Sequence, residues 1–284
     1  MGFALALLAM LSFAANMILT RYAIARMPVE SGFLFVLGTN VLFPALLYGG
    51  ELAIRTAPYS WDLRGCALFV LAGVVGIFLG RRALFDTVRL LGPSRASVFH
   101  SSAPVVALLG AWLLAHEALG AYELALVAVV WVGLWLTQPP AGSRPGETRL
   151  SRVAIRRGLL AGLFAVAGFG FGNVLRGLAM RQWEEPLLGT VIAALSAFVL
   201  QVAVTRDWHA VRAQVRKAGA PGVWIYVACG IATSFGSVFI TAAMAHMKIG
   251  LAALIMHTTP VVVFPMSALL FKQREEINGR TLAG

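Results

Sequence analysis

Residues 100–117 read HSSAPVVALLGAWLLAHE, and residues 257–275 read HTTPVVVFPMSALLFKQRE. Each stretch opens on a histidine, passes through small hydroxyl side chains to a proline, continues as an apolar run and ends at an acidic residue, Glu117 or Glu275. The likeness extends outward. Gly65 to Glu117 lies over Gly222 to Glu275, with Gly73 on Gly230, Pro104 on Pro260 and Ser101-Ser102 on His257-Thr258. The chain reads as an internal duplication.

Composition says what kind of element is duplicated. Of 284 residues, 59% are hydrophobic and 12% charged, and the mean hydropathy is +0.82. A soluble domain is nearer half apolar and a quarter charged, so this chain is expected to lie in lipid. At about 20 apolar residues per crossing, its length allows roughly nine to eleven helices. Apolar windows bounded by charge, Pro and Gly predict helices near 3–25, 31–50, 65–90, 94–115, 120–137, 158–180, 187–205, 222–245 and 250–271. The first lacks a basic leader and is interrupted by Asn16 and Thr20, so it reads as a retained helix, not a signal peptide.

The stretch Gln138 to Glu147 is too rich in Pro and Gly to hold a helix and continues into a basic segment up to Arg157. It divides the chain into a first repeat, 1–137, a linker, 138–157, and a second repeat, 158–284. Five helices per repeat is an odd number, so the second copy must enter the membrane from the opposite side. Carrying the first register onto the second places Leu119 to Leu126 over Ile277 to Gly284. The expected fold is therefore an all-α polytopic membrane protein of two inverted five-helix repeats and ten transmembrane helices, the tenth truncated in this chain.

The net charge of +11, from 23 Lys and Arg against 12 Asp and Glu, does not point to nucleic acid. A nucleic-acid binder gathers its cations on one solvated face. Here the cations sit between apolar runs, and the odd-numbered loops carry far more of them than the even-numbered loops, which hold only Arg55, Arg64, Arg181 and Lys248. By the positive-inside rule the odd loops are cytoplasmic and the N-terminus is outside. Cys66 and Cys229 stand alone in apolar runs without CxxC spacing and read as small buried hydrophobes.

Three segments carry a family resemblance: Gly92-Pro-Ser-Arg-Ala-Ser97, Pro104 through Glu117, and Pro260 through Glu275. The chain resembles the drug/metabolite transporter superfamily, specifically the EamA-type transporters with ten helices in two five-helix repeats. That resemblance implies a secondary transporter whose halves rock around a central site, with helices 1, 3, 4, 6, 8 and 9 in its wall. It also implies both termini in the cytoplasm, against the charge count, and it does not fix the substrate.

Ionisable groups at membrane depth mark a pathway or a site by default. Arg81 and Arg82 fall about 12 Å from the end of the third predicted helix at 1.5 Å per residue. Asp86 and Arg89 share the helical face of Arg82 and can pair with it, leaving a net positive charge to hold a carboxylate or phosphate. Arg176 and Asn173 follow the glycine-rich run Gly168 to Gly172, which either packs helices closely or unwinds to expose backbone to a substrate. Asn16 offers a similar hydrogen-bonding group. His100 and His257 occupy near-equivalent places in the two copies and are candidates for cavity polar groups or proton relays.

Apart from Asp86, the acidic residues lie in loops or at helix ends, which disfavours an organic-cation exchanger. Glu275-Glu-Ile-Asn-Gly-Arg280 matches the EExxxR string of intramembrane CAAX-type proteases, but none of the five histidines has a Phe four residues before it. No GxSxG, HExxH, Walker or GxGxxG context appears either. The expected protein exports an amino acid or related carboxylate from a bacterial cytoplasmic membrane. Its partners are the substrate and lipid, with proton coupling open, no nucleic acid, and no metal or other cofactor. The competing reading is a membrane-embedded enzyme or scaffold without transport.

Overall fold

The computed structural model describes residues 1–56, 61–118 and 152–263, together with the single positions 120, 121, 125, 128 and 266. Its regular elements are α1 (Gly2–Ile24), α2 (Val29–Ile54), α3 (Leu63–Ala72), a π segment (Gly73–Leu79), α4 (Gly80–Leu91), α5 (Pro93–Ser101), α6 (Ala103–Ala115), α7 (Arg152–Gln182), α8 (Pro186–Val204), α9 (Trp208–His246) and α10 (Ile249–His257). The π segment joins α3 and α4 into one membrane span, Leu63–Leu91, and α10 belongs to an apolar run that continues to Val263. Among the described residues, seven helices are long and apolar enough to cross a bilayer. The chain is an all-helical polytopic membrane protein. The predicted helix 120–137, apart from the single positions above, the Pro/Gly linker, Glu275 and the start of a tenth helix lie outside the described residues.

The starts are set locally. Asp62 accepts the Gly65 N–H at 2.5 Å, and Asp207 accepts the Ala210 N–H at 2.8 Å, each satisfying an orphan donor of a first turn. Pro93 and Pro186 stand at the first turns of α5 and α8, where a missing N–H costs nothing. Sequence patterning missed one element. The segment predicted to be a loop after Val204 is helical from Trp208 and merges into α9 across a kink at Gly219, whose φ of +64° suits glycine. Val215 and Ala218 of this first part pack against Met27 and Tyr226.

Helix partners recur between the halves. α1 lies along α9 as α4 lies along α7, α2 packs on α9 as α8 packs on α3, and α2 meets α8 while α6 meets α10. The correspondence reaches individual residues. Gly65 fits against Trp183 as Gly222 fits beside Arg26, Phe69 fills the space over Gly189 as Tyr226 fills it over Gly32, and Gly73 abuts Ser196 as Gly230 abuts Thr39. In all three pairs the counterparts are 157 residues apart. Beyond the π segment the spacing becomes 156: Gly80 packs on α7 as Gly236 packs on α1, and the residues preceding α5 and α10 are Gly92 and Lys248.

Between Gly73 and Gly80 the first half therefore has one residue more than the second has between Gly230 and Gly236, and the π segment occupies that interval. A single residue inserted into a helix is absorbed as a wider i→i+5 turn. Everything after it stays in register with its neighbours.

The glycine-rich run of α7 shows which of its two expected uses applies. α7 is one continuous helix through Gly168–Gly172, and those glycines meet Gly76 and Gly80 backbone to backbone. A Cβ on Gly172 would stand 2.5 Å from the Gly76 Cα, and one on Gly168 would stand 2.7 Å from the Gly80 Cα. Two GxxxG stretches thus form a close helix crossing. The irregular backbone lies in the partner helix instead.

Candidate functional site

The two histidines of the duplicated motif meet across the two copies. His100 on α5 and His257 at the end of α10 have ring centroids 5.9 Å apart. His257 Nδ1 lies 2.8 Å from the Ala253 carbonyl. A carbonyl only accepts, so Nδ1 carries the hydrogen and Nε2 of the neutral ring is left as an acceptor. The buried His100 Nδ1 has no hydrogen-bond partner. On its other side the His100 ring stands edge-on to Phe169 of α7, with centroids 4.9 Å apart.

Phe169 links the histidines to Arg81. The Arg81 guanidinium lies 6.0 Å from the Phe169 ring centroid and 5.2 Å from that of Phe33 on α2, close enough for cation–π attraction. Its Nε is buried and unpartnered. Arg82, one residue on, is exposed, and its guanidinium stands 5.7 Å from the Phe78 ring. The expected local pairing does not form: Arg89 reaches Glu30 on α2 at 3.1 Å, and no ion pair joins Arg82 to Asp86.

Further along α7, Asn173 and Arg176 follow Phe169 by four and seven residues and so share its face, Arg176 about 10 Å away at 1.5 Å per residue. Arg176 is 8% exposed, and its Nε is also buried without a partner. Asn16 on α1 is half-buried and accepts the Thr20 hydroxyl at 3.4 Å. It is 157 residues from Asn173, the spacing of the paired contacts above. Of the seven candidates, the structure gathers Arg81, His100 and His257 around Phe169, carries Asn173 and Arg176 farther along the Phe169 face of α7, and leaves Arg82 and Asn16 apart from the cluster.

The two ends of the bundle are fastened differently. At the end that carries Trp183, the buried Glu185 accepts from Arg55 at 2.6 Å, joining α8 to α2. That bond raises the Arg55 pKa above its usual value. Glu117, also buried, accepts the Ile249 N–H at 2.7 Å and the Gly250 N–H at 3.2 Å, and pairs with Arg181. One carboxylate therefore fastens the end of α6 to α7 and to the start of α10. Lys248 Nζ donates to the Ala118 carbonyl at 3.0 Å. Trp61 and Trp183 pack edge-on, with centroids 5.2 Å apart. At the opposite end, the Glu30–Arg89 pair is more than half exposed on both sides, and Ser31 donates to Gln214 at 2.5 Å.

Sequence reasoning missed Phe33 and Phe169, two of 17 phenylalanines in an apolar chain with nothing in their spacing to distinguish them. It read Glu117 only as a marker of the repeat. A groove of about 370 Å3 on the outer side of α7, lined by Arg152, Ile155, Arg156, Leu159, Leu160 and Leu163, does not include the central cluster.

Residues 1–138 match the model of the EamA-like transporter family. The chain is also similar to a protein of known crystal structure at 15% identity, with a TM-score of 0.73, over 99% of this chain and 91% of the other. At that identity the likeness concerns the fold. No curated protein matches the chain.

Proposed function

We propose, on the premise that residues 1–138 match the EamA-like transporter family, that the protein is a secondary transporter moving a small polar metabolite, an amino acid or related carboxylate, between two inverted halves. The observation that carries this reading is the meeting of His100 and His257 beside Arg81. The two histidines hold near-equivalent places in the two copies, so their contact lies close to the axis that would relate the halves, which for inverted repeats runs through the membrane midplane. A transporter of this kind keeps its site there. The recurring contacts 157 residues apart support the duplication.

In the mechanism, Arg81 offers the substrate charge-assisted hydrogen bonds from a site shielded by Phe33 and Phe169, where they are stronger than in water. The His100 and His257 nitrogens complete the polar lining and can pass a proton as the site fills and empties. Access alternates as the halves rock. The buried carboxylate fastenings at the Trp183 end have to open for one state, and the exposed Glu30–Arg89 pair for the other. Three of the four even-loop cations, Arg55, Arg181 and Lys248, are taken up in ion pairs or a hydrogen bond at the Trp183 end. This sharpens the charge asymmetry, and we place the opposite, cation-rich end in the cytoplasm.

Purified protein in liposomes should accumulate a labelled amino acid or carboxylate against empty-liposome controls. Arg81→Ala should abolish that uptake while expression and gel-filtration behaviour stay intact. Uptake unchanged in Arg81→Ala removes Arg81 from the site. A reporter fused at residue 145 should respond from the cytoplasmic side, and an extracellular response reverses the orientation.

A further inference from the structure

Arg81 and Arg176 are both sunk in the membrane region, and neither Nε has a partner. Among the described residues, no carboxylate pairs with either of them. The buried carboxylates Glu117 and Glu185 are engaged by Arg181 and Arg55 at the Trp183 end, and Asp86 is exposed. An uncompensated buried charge is costly, so two of them are retained only where something supplies the opposite sign.

The fold itself does not require these charges. At spacings of 156 or 157 residues, the counterparts of Arg176 are Thr20 or Leu19, and those of Arg81 are Ser237 or Val238, none of them ionisable. The corresponding α1–α9 pair packs the same way without them. Both cations stand on the α4–α7 pair, on either side of Asn173, with Phe169 touching the first and lying two turns from the second.

Building on the transporter reading above, we propose that the substrate is a small two-ended dianion, with one acidic group held by Arg81 and the other by Arg176. Asn173 faces its middle, and an amino acid with a neutral side chain lacks the second charge. About 10 Å of α7 separates Phe169 from Arg176, which leaves room for a short carbon chain between two guanidinium-bound carboxylates. Holding both ends makes binding depend on chain length, because each added carbon changes the separation of the acidic groups.

The test is thermal stabilisation of the purified full chain in detergent, titrated with a dicarboxylate series from malonate to adipate, glutamate, butyrate, leucine and glycerol 3-phosphate. We expect the best dicarboxylate to bind about tenfold or more tightly than butyrate or leucine, with an optimum at one chain length. Arg176→Gln should erase that preference, bringing the dicarboxylate to the level of butyrate. Arg81→Gln should weaken both. Should Arg176→Gln not fold, the chain-length optimum of the unaltered protein decides alone, and a flat series overturns the proposal. Glycerol 3-phosphate binding without any dicarboxylate binding also overturns it, in favour of a single doubly charged group. Leucine uptake in liposomes without dicarboxylate binding overturns the dianion and keeps the transporter, whereas no uptake of any solute removes both.

Discussion

The GxxxG crossing between the third span and α7 yields the sharpest stability forecast. In Gly172→Ala the new Cβ would stand 2.5 Å from the Gly76 Cα and 2.9 Å from its nitrogen, with no side chain there to move aside. Carbon atoms settle at about 3.5–4.0 Å, so the helices must separate by about 1 Å. Overpacking of this kind costs about 1–3 kcal/mol. Alanine in mid-helix gains about 0.8–1.0 kcal/mol over glycine through propensity, which leaves a net loss of about 0–2 kcal/mol. Gly49→Ala is the matched control, because its Cβ meets nothing within 4 Å and only the propensity gain applies. The propensity gain is common to both variants, so they should differ by the overpacking cost, about 1–3 kcal/mol, or roughly 2–12 °C in Tm for a chain of this size. Heating detergent-solubilised protein and following the monodisperse fraction by gel filtration measures the difference. Equal melting of the two variants would falsify the close crossing.

Other outcomes follow from single features. Glu117→Ala leaves the first two N–H groups of α10 and Arg181 without their acceptor and should cost about 2–4 kcal/mol. Glu117→Gln, which keeps an acceptor, should lose about half as much, and wild-type melting of the Ala variant removes the cap. Deleting Val74 shortens the π segment to the length found in the other half, so the deletion should express and remain monodisperse. Deleting Ile231, where the second half has no residue to spare, should aggregate, and equal behaviour of the two deletions refutes the register account. Gly219→Ala forces a side chain into φ +64°, ψ −176°, at about 1–3 kcal/mol. Proteolysis between Trp208 and Ala218 should speed up, and an unchanged cleavage rate shows that the kink tolerates a side chain.

The number and type of the spans were legible because each is a long apolar run between charges, and lipid imposes helix on such runs. The meeting of His100 with His257 was foreshadowed by their shared place in a repeated motif. Arg81 and Arg82 could not be told apart from sequence. Neighbouring residues differ by about 100° around a helix, and the π segment immediately before them resets that angle in a way no apolar pattern records. The helix from Trp208 to Ala218 was missed because its cations, Arg212, Arg216 and Lys217, read as a loop, although such residues also suit a helix lying in the membrane interface. Glu117 was legible as a conserved-looking end to each copy but not as the acceptor for α10, because its partners lie more than 130 residues away.

The extra residue in the third span bears on the resting state of the molecule. A carrier assembled from two interchangeable halves has mirror-image conformations open to either side, and with nothing bound they are equal in energy. Here the halves are not interchangeable: one span contains a turn the other lacks, and the two membrane-depth cations stand on the α4–α7 pair with no counterpart on the α1–α9 pair. The degeneracy is lifted, and a gap of about 1.4 kcal/mol already sets empty protein tenfold toward one orientation. On the transporter reading, the empty protein waits on one side of the membrane and starts each cycle from there.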